Sequence, residues 1–288
     1  MHRIVRLAYG PALVAAAVLL SACAAKAGPP PAPAPDAGGA PENDLDLSHW
    51  KLQLPDDPYK VEPPELAAMA HSGALKPYFY FDEEGALVFY TVPLETTAHS
   101  HYSRTELREQ RVPGRDDVNW TLAQGGRLRA RLQLRSISKD GDGRPHRTIV
   151  MQIHARLSDE QMERIGADSP TGPPLLKVYW QDGQLRAFVK KLKDPDAADD
   201  EILRRSAWED EKYTFQTPVG YKPFDLEVVA SAGRLEVVLN QGERHVWQTP
   251  SLARWPFEDY FKAGNYLQTR DEGAQATVAY YELEVDHP

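Results

Sequence analysis

The sequence predicts an all-β fold, a jelly-roll β-sandwich of two antiparallel sheets with a concave groove on one face and a few short helices. Three observations predict it. Several segments alternate apolar and polar residues at period two, as strands with one buried face do. Turn residues separate these segments at short spacing, and helical signals are few and short. Many short strands with turns between them pack as a sandwich or a barrel.

The clearest alternation is Arg127-Leu128-Arg129-Ala130-Arg131-Leu132-Gln133-Leu134. Residues 176–180 and 185–190 flank Gln181-Asp182-Gly183-Gln184, whose Asp-Gly pair is a hairpin signal. Residues 225–230 and 234–240 form a second pair around Ser231-Ala232-Gly233, and the β-forming run at 276–285 is a further strand. Short helices are expected at 63–69, with proline in the first turn, and at 158–162, with a turn somewhere in 251–261.

Residues 1–23 read as an export signal. A basic start (His2, Arg3, Arg6) precedes an apolar run from Ala12 to Leu20, about half of what a bilayer-spanning helix needs. Leu20-Ser21-Ala22-Cys23 resembles a bacterial lipoprotein box, which implies cleavage before Cys23 and lipidation of its thiol; the alternative is a free cysteine inside an ordinary signal. Residues 24–43, rich in Ala, Pro and Gly, cannot bury enough apolar surface to order themselves and read as an extended tether. Residues 44–288 then form one domain, since no second linker, repeat or composition break divides them. Cys23 is the single cysteine, so this domain folds without an internal disulfide and has no Cys-based metal site.

Of the 33 basic and 42 acidic side chains, residues 1–43 hold three and two, leaving 30 against 40 in the domain. That balance of −10 argues against nucleic acid. An anionic ligand of any other kind requires the basic side chains to be gathered in one place.

Three segments carry chemistry. In Ser103-Arg104-Thr105-Glu106-Leu107-Arg108-Glu109, a strand places Arg104, Glu106 and Arg108 on one face, each about 7 Å from the next, and the two guanidiniums suit carboxylates. A solvated strand of Arg–Glu pairs is the plainer reading. In Ile149-Val150-Met151-Gln152-Ile153-His154, alternation aims Val150, Gln152 and His154 one way and Ile149, Met151 and Ile153 the other. A lone histidine is more often structural than catalytic. In Tyr260-Phe261-Lys262-Ala263-Gly264-Asn265-Tyr266-Leu267-Gln268, a regular strand puts Tyr260, Lys262, Gly264, Tyr266 and Gln268 on one face, with Gly264 leaving room for a polar polymer.

Together, in this order, the three segments resemble polysaccharide lyase family 7, the alginate lyases, whose pattern is Arg-(Ser/Thr)-Glu-Leu-Arg, Gln-(Ile/Val)-His and Tyr-Phe-Lys-Ala-Gly-x-Tyr-x-Gln. The opening at 45–55 also resembles the family's domain start, so the resemblance spans about residues 44 to 288. Leu267 departs from the Asn that many members carry there. The resemblance implies β-elimination on alginate with no cofactor and no metal. Arg104 and Gln152 would neutralise the uronate carboxylate, His154 would remove the C5 proton of guluronate and Tyr266 would protonate O4. For mannuronate Tyr266 would serve in both roles. Arg108, Glu106, Lys262 and Gln268 would contact neighbouring sugars, and the cations Arg104, Arg108 and Lys262 would favour the phenolate of Tyr266. Ile153 points to guluronate or mixed blocks.

His99 and His101 share a strand face without a third ligand, which favours a structural or sugar-contacting role. A glycoside hydrolase on a similar fold would need paired carboxylates, and these faces offer only Glu106 between two arginines. A lyase for another polyuronate and a non-catalytic polyuronate-binding module are the other readings. The expected protein is an exported monomer, anchored in the outer membrane only through its lipid and facing the periplasm or cell surface.

Overall fold

The structure is a computed structural model that describes residues 45–94 and 101–288. Sixteen strands follow in chain order among them. They are β1 (Trp50–Gln53), β2 (Lys60–Val61), β3 (Phe79–Phe81), β4 (Leu87–Thr91), β5 (Arg104–Glu109), β6 (Trp120–Thr121), β7 (Gly126–Ile137) and β8 (Thr148–Arg156). The second half holds β9 (Thr171–Gln181), β10 (Gln184–Leu192), β11 (Trp208–Thr214), β12 (Phe224–Ser231), β13 (Arg234–Leu239), β14 (Glu243–Gln248), β15 (Glu258–Leu267) and β16 (Ala276–Asp286). The α-helices are α1 (Glu65–Ser72), α2 (Asp159–Ile165), α3 (Asp199–Ile202) and α4 (Pro250–Ala253).

The strands make two antiparallel sheets. One runs β11-β10-β9-β8-β15-β5-β1-β2, with β6 pairing β15, and the other runs β14-β13-β12-β7-β16-β4-β3. The expected all-β sandwich is the one observed. Strand β7 shows why: Leu128, Ala130, Leu132 and Leu134 are buried, while Arg127, Arg129 and Arg131 between them are exposed. Burying each such leucine contributes roughly 1.5–3 kcal/mol. The opposing layer comes from the first sheet, where Leu52, Leu107, Met151, Ile153 and Phe261 join the same core. The turn joining β9 to β10 takes left-handed Asp182 (φ 53°) and Gly183 (φ 78°), the geometry of a two-residue hairpin.

The helices depart a little from expectation. Pro64 caps α1 instead of lying in its first turn, and α2 begins after a capping box made by Ser158 and Gln161. The signal, Cys23, the tether and His99 lie outside the described residues. Among the described residues, no helix is long and apolar enough to cross a membrane.

Two of the local irregularities in the first sheet reset which residues face the core. In β8 a bulge falls between Ile149 and Met151. It reverses the alternation expected there: Val150 joins the core, whereas Ile149 pairs with Tyr179 and Tyr266 on the opposite face. In β15 the register also shifts between Ala263 and Tyr266. Gly264 sits at this shift with φ 145°, and a Cβ there would lie 2.6 Å from the Thr105 carbonyl and 3.0 Å from the Phe89 ring. Glycine is therefore required by the close approach to β5 and the core, not by room for a polymer as the sequence suggested. The next residue, Asn265, turns inward and ties the sheets together. Its amide donates to the carbonyls of Phe89 (3.1 Å) and Ala276 (2.8 Å) and accepts from Thr148 (2.7 Å).

Candidate active site

Register sets the site. Residues directly opposite on paired antiparallel strands share a face. Gln152 of β8 lies opposite Lys262 of β15, which lies opposite Arg108 of β5, which lies opposite Lys51 of β1. The neighbouring rows are His154–Tyr260, Gly264–Glu106–Gln53 and Ile149–Tyr266–Arg104. The three sequence segments thus converge on one patch, beside a groove of about 330 Å³ lined by Arg104, Arg108, His154, Tyr260 and Lys262, with Lys51, Gln53 and Arg156.

Glu106 is the hub of the patch. It is fully buried, and its carboxylate accepts from Arg104 Nη1 (2.9 Å), Lys262 Nζ (2.6 Å) and Gln152 Nε2. Burial pushes its carboxyl upward, but Lys262, Arg104 and the hydrogen bonds outweigh that, and the net effect holds it below the usual range. The sequence had Glu106 touching sugar. Instead it lies beneath the groove and fixes three side chains above it, and because a carboxylate only accepts, it decides that Gln152 turns its NH₂ inward. Lys262 also donates to Gln53 Oε1 (2.8 Å). Burial first, then Arg104 and Arg108 against the pull of Glu106, lowers its ammonium to about 7.

His154 lines the groove next to this cluster. Its Nδ1 is 3.1 Å from the Ala155 carbonyl, which can only accept, so the neutral ring carries its proton on Nδ1. Among the described residues no hydrogen bond reaches Nε2. Burial first, and the charge of Lys262 next, hold the imidazole well below its ordinary value, so it is neutral at pH 7. Tyr260 stacks on it (centroids 5.5 Å, 19°) with its hydroxyl 3.3 Å from Nδ1. Arg108 covers the other side of Tyr260, 4.0 Å from the ring centre. Both terminal nitrogens of Arg108 are engaged, by the Glu109 and Asp116 carbonyls (2.6 and 2.8 Å) and Asn119 Oδ1 (2.9 Å). The residue expected to bind sugar is held chiefly as a buttress for Tyr260 and the 110–119 loop.

Tyr266 stands opposite Arg104, whose guanidinium lies 3.7 Å above the phenol ring, and Tyr102 packs edge-on at 6.4 Å. Gln268 follows the end of β15; its amide donates to the Tyr266 carbonyl (3.1 Å), and it lines a separate pocket with His101, Tyr102 and Arg270. Exposed His101 offers its carbonyl to Arg270 Nε (2.8 Å). Ile153 is buried in the core behind the sheet, so any influence on substrate passes through packing. Leu267 is buried with Ala274 and Ala276, off the groove. Sequence reading missed Tyr260 as a support for His154, and Lys51 and Gln53 as members of the patch. The alternation around Lys262 marked Tyr260, but β1 carries no signal until its register with β5 is known.

The patch holds a neutral imidazole with an open nitrogen, a phenol under a guanidinium, and cations set over one buried carboxylate. Such a site suits proton transfer on an anionic sugar chain, the task of a polysaccharide lyase. Residues 45–287 match the family model described as alginate lyase. The crystal structure of alginate lyase A1-II′, a member of polysaccharide lyase family 7, is 30% identical over 84% of this chain and 96% of that one, with a TM-score of 0.67. A His→Asn, Tyr→Phe double variant of the same enzyme, solved in complex with substrate (GGMG), is 30% identical over 86% and 96% of the two chains, with a TM-score of 0.67. Alginate lyase PA1167 from Pseudomonas aeruginosa is 26% identical over 84% of this chain and 100% of that one, with a TM-score of 0.61. No curated protein sequence matches. The chain belongs to the alginate lyases of polysaccharide lyase family 7.

Proposed function

We propose that the protein depolymerises alginate by β-elimination, with His154 and Tyr266 as the proton-transfer pair and the Arg104–Gln152 side of the Glu106 hub as the carboxylate clamp. The carrying observation is His154: Ala155 holds its proton on Nδ1, and its surroundings keep it neutral, which supports Nε2 as a base. Arg104 neutralises the uronate carboxylate and Gln152 donates a hydrogen bond to it, which acidifies the C5 proton. Nε2 takes that proton, the C4–O4 bond breaks as the C4=C5 double bond forms, and Tyr266 gives its proton to O4. Where the C5 proton lies on the phenol side, Tyr266 serves in both roles. A relative crystallised with substrate after His→Asn and Tyr→Phe changes supports a pair of this kind.

Guluronate-containing blocks are the favoured substrate, a reading that rests on the Gln152-Ile153-His154 motif. The experiment is incubation with polyguluronate, polymannuronate and polyglucuronate, reading the ultraviolet absorbance of the unsaturated product. Absorbance rising fastest with polyguluronate is expected. Reducing ends released without absorbance would mean hydrolysis and would overturn the reading.

The Leu20-Ser21-Ala22-Cys23 motif supports a lipid anchor at Cys23 that holds a monomeric enzyme at the outer membrane. Labelling with a fatty acid should be abolished by Cys23→Ala; labelling that persists would exclude this anchor.

A further inference from the structure

The row through Lys262 does not stop at Gln152. Gln152 lies opposite Lys177 of β9, Lys177 opposite Phe188 of β10, and Phe188 opposite Lys212 of β11. One register row therefore crosses seven strands as Lys51, Arg108, Lys262, Gln152, Lys177, Phe188 and Lys212. At about 4.8 Å per strand it spans roughly 29 Å. The adjacent row continues likewise: Arg104, Tyr266 and Ile149 are followed by Tyr179 and Arg186.

Cations beyond Gln152 are held ready on aromatic surfaces. Lys177 Nζ lies 5.9 Å from the Tyr179 ring centre and 5.7 Å from that of Phe188, and the Arg147 guanidinium lies 5.2 Å from Tyr179. Among the described residues, Arg186 Nε is buried without a hydrogen-bond partner. Burial, against the pull of Arg147, raises the Tyr179 phenol to about 12, so its hydroxyl stays a donor. Two anions are set among them: Asp210 bonds Lys177 and Lys190 at 2.8 Å each, and Asp182 lies 3.8 Å from Arg186. A protein of net negative charge has thus placed a cationic surplus along the two rows that lead away from the reacting patch.

We propose that Lys177 and Arg186, with Arg147 and Tyr179, form a distal uronate subsite on β9 and β10, which binds the carboxylate of a sugar beyond those at the reacting patch. Lys177 stands two strand spacings from Lys262, about 10 Å, so only a chain longer than the minimal substrate reaches it. In the free protein Asp210 occupies the lysine that the uronate would take. The inference rests on the alginate reading above.

The test compares kcat/KM on alginate oligomers of increasing length. For the double variant Lys177→Met with Arg186→Gln, the long-to-short ratio should fall about tenfold, as for loss of a charge-assisted hydrogen bond. Asp210→Asn, which removes the competing anion, should raise the same ratio. A purely structural ion pair predicts the opposite, no gain in the ratio and a lower Tm. Ratios within twofold of the wild type in both variants would overturn the subsite. Binding of long oligomers to the His154→Ala protein separates the two readings. If the wild type cleaves nothing, the lyase reading fails, yet length-dependent binding lost with Lys177→Met would still establish the subsite.

Discussion

Basic and acidic side chains pair in two regions of this molecule, with different consequences. On the outer face of the second sheet, Arg127 pairs with Glu227, Arg129 with Glu284 (2.9 Å) and Arg131 with Asp225 (3.0 Å). These side chains remain in water; those of Arg129 and Glu284 are 44% and 63% exposed. On the groove sheet, Arg104 and Lys262 meet Glu106, which has no exposed surface at all. Exposed pairs contribute about 0–1 kcal/mol because water screens them and side-chain ordering offsets the gain. A buried charge gains its partners only after losing its hydration, so removing one partner strands the others. The same residue types give solubility on one sheet and a fixed cationic platform on the other.

The largest effects should come from the groove side. Tyr266→Phe and His154→Ala should each lower kcat by roughly 10²–10⁴-fold while leaving circular dichroism and Tm nearly unchanged, because each removes a proton carrier at the groove surface. Near wild-type turnover in either would break the assignment of roles.

Glu106→Ala should cost stability as well as activity, on the order of 3–5 kcal/mol in denaturant unfolding, since Arg104 and Lys262 lose their buried counter-charge. The pH dependence has a definite sign. The folded-state carboxyl lies below its unfolded value, so its contribution is fully present above the unfolded carboxyl range and fades as pH falls through the folded value. Equal stability of wild type and variant at pH 7 would show that the hub is not a structural anchor.

Lys262 and His154 sharpen the contrast through pH. With the lysine lowered to about 7, it is charged below that pH and neutral above it, so KM for alginate should rise as pH climbs past about 7. His154, held well below 6.5, stays a competent base throughout that range and limits kcat/KM only on the acid side. A KM that is flat from pH 6 to 9 would remove Lys262 from the binding surface. The smallest effect belongs to the outer sheet: Arg129→Ala or Arg131→Ala should shift unfolding by no more than about 1 kcal/mol and leave kcat/KM unaltered.

Much of this was legible in the chain itself. Period-two alternation in β7, the Asp182-Gly183 turn and the spacing of three short motifs were enough for the sandwich and for the face that carries His154, Lys262 and Tyr266, because side-chain direction in a strand follows from counting. Counting failed where the backbone is irregular. The bulge at Ile149–Met151 exchanged the faces of Ile149 and Val150, and Gly264 proved to answer to Phe89 and Thr105 from neighbouring strands. Register was also beyond reach. That Lys51, Arg108, Lys262, Gln152 and Lys177 form one row depends on strand pairings between residues as distant in sequence as Arg108 and Lys262. Nor could alternation tell that Glu106 lies beneath the groove or that Arg108 is held by the 110–119 loop, since it gives a side chain's direction but not what covers it. The sequence alone determined the architecture and the residue types of the site. Tertiary structure decided their protonation, their partners and which of them face the sugar, because those depend on burial and on charges that only folding brings together.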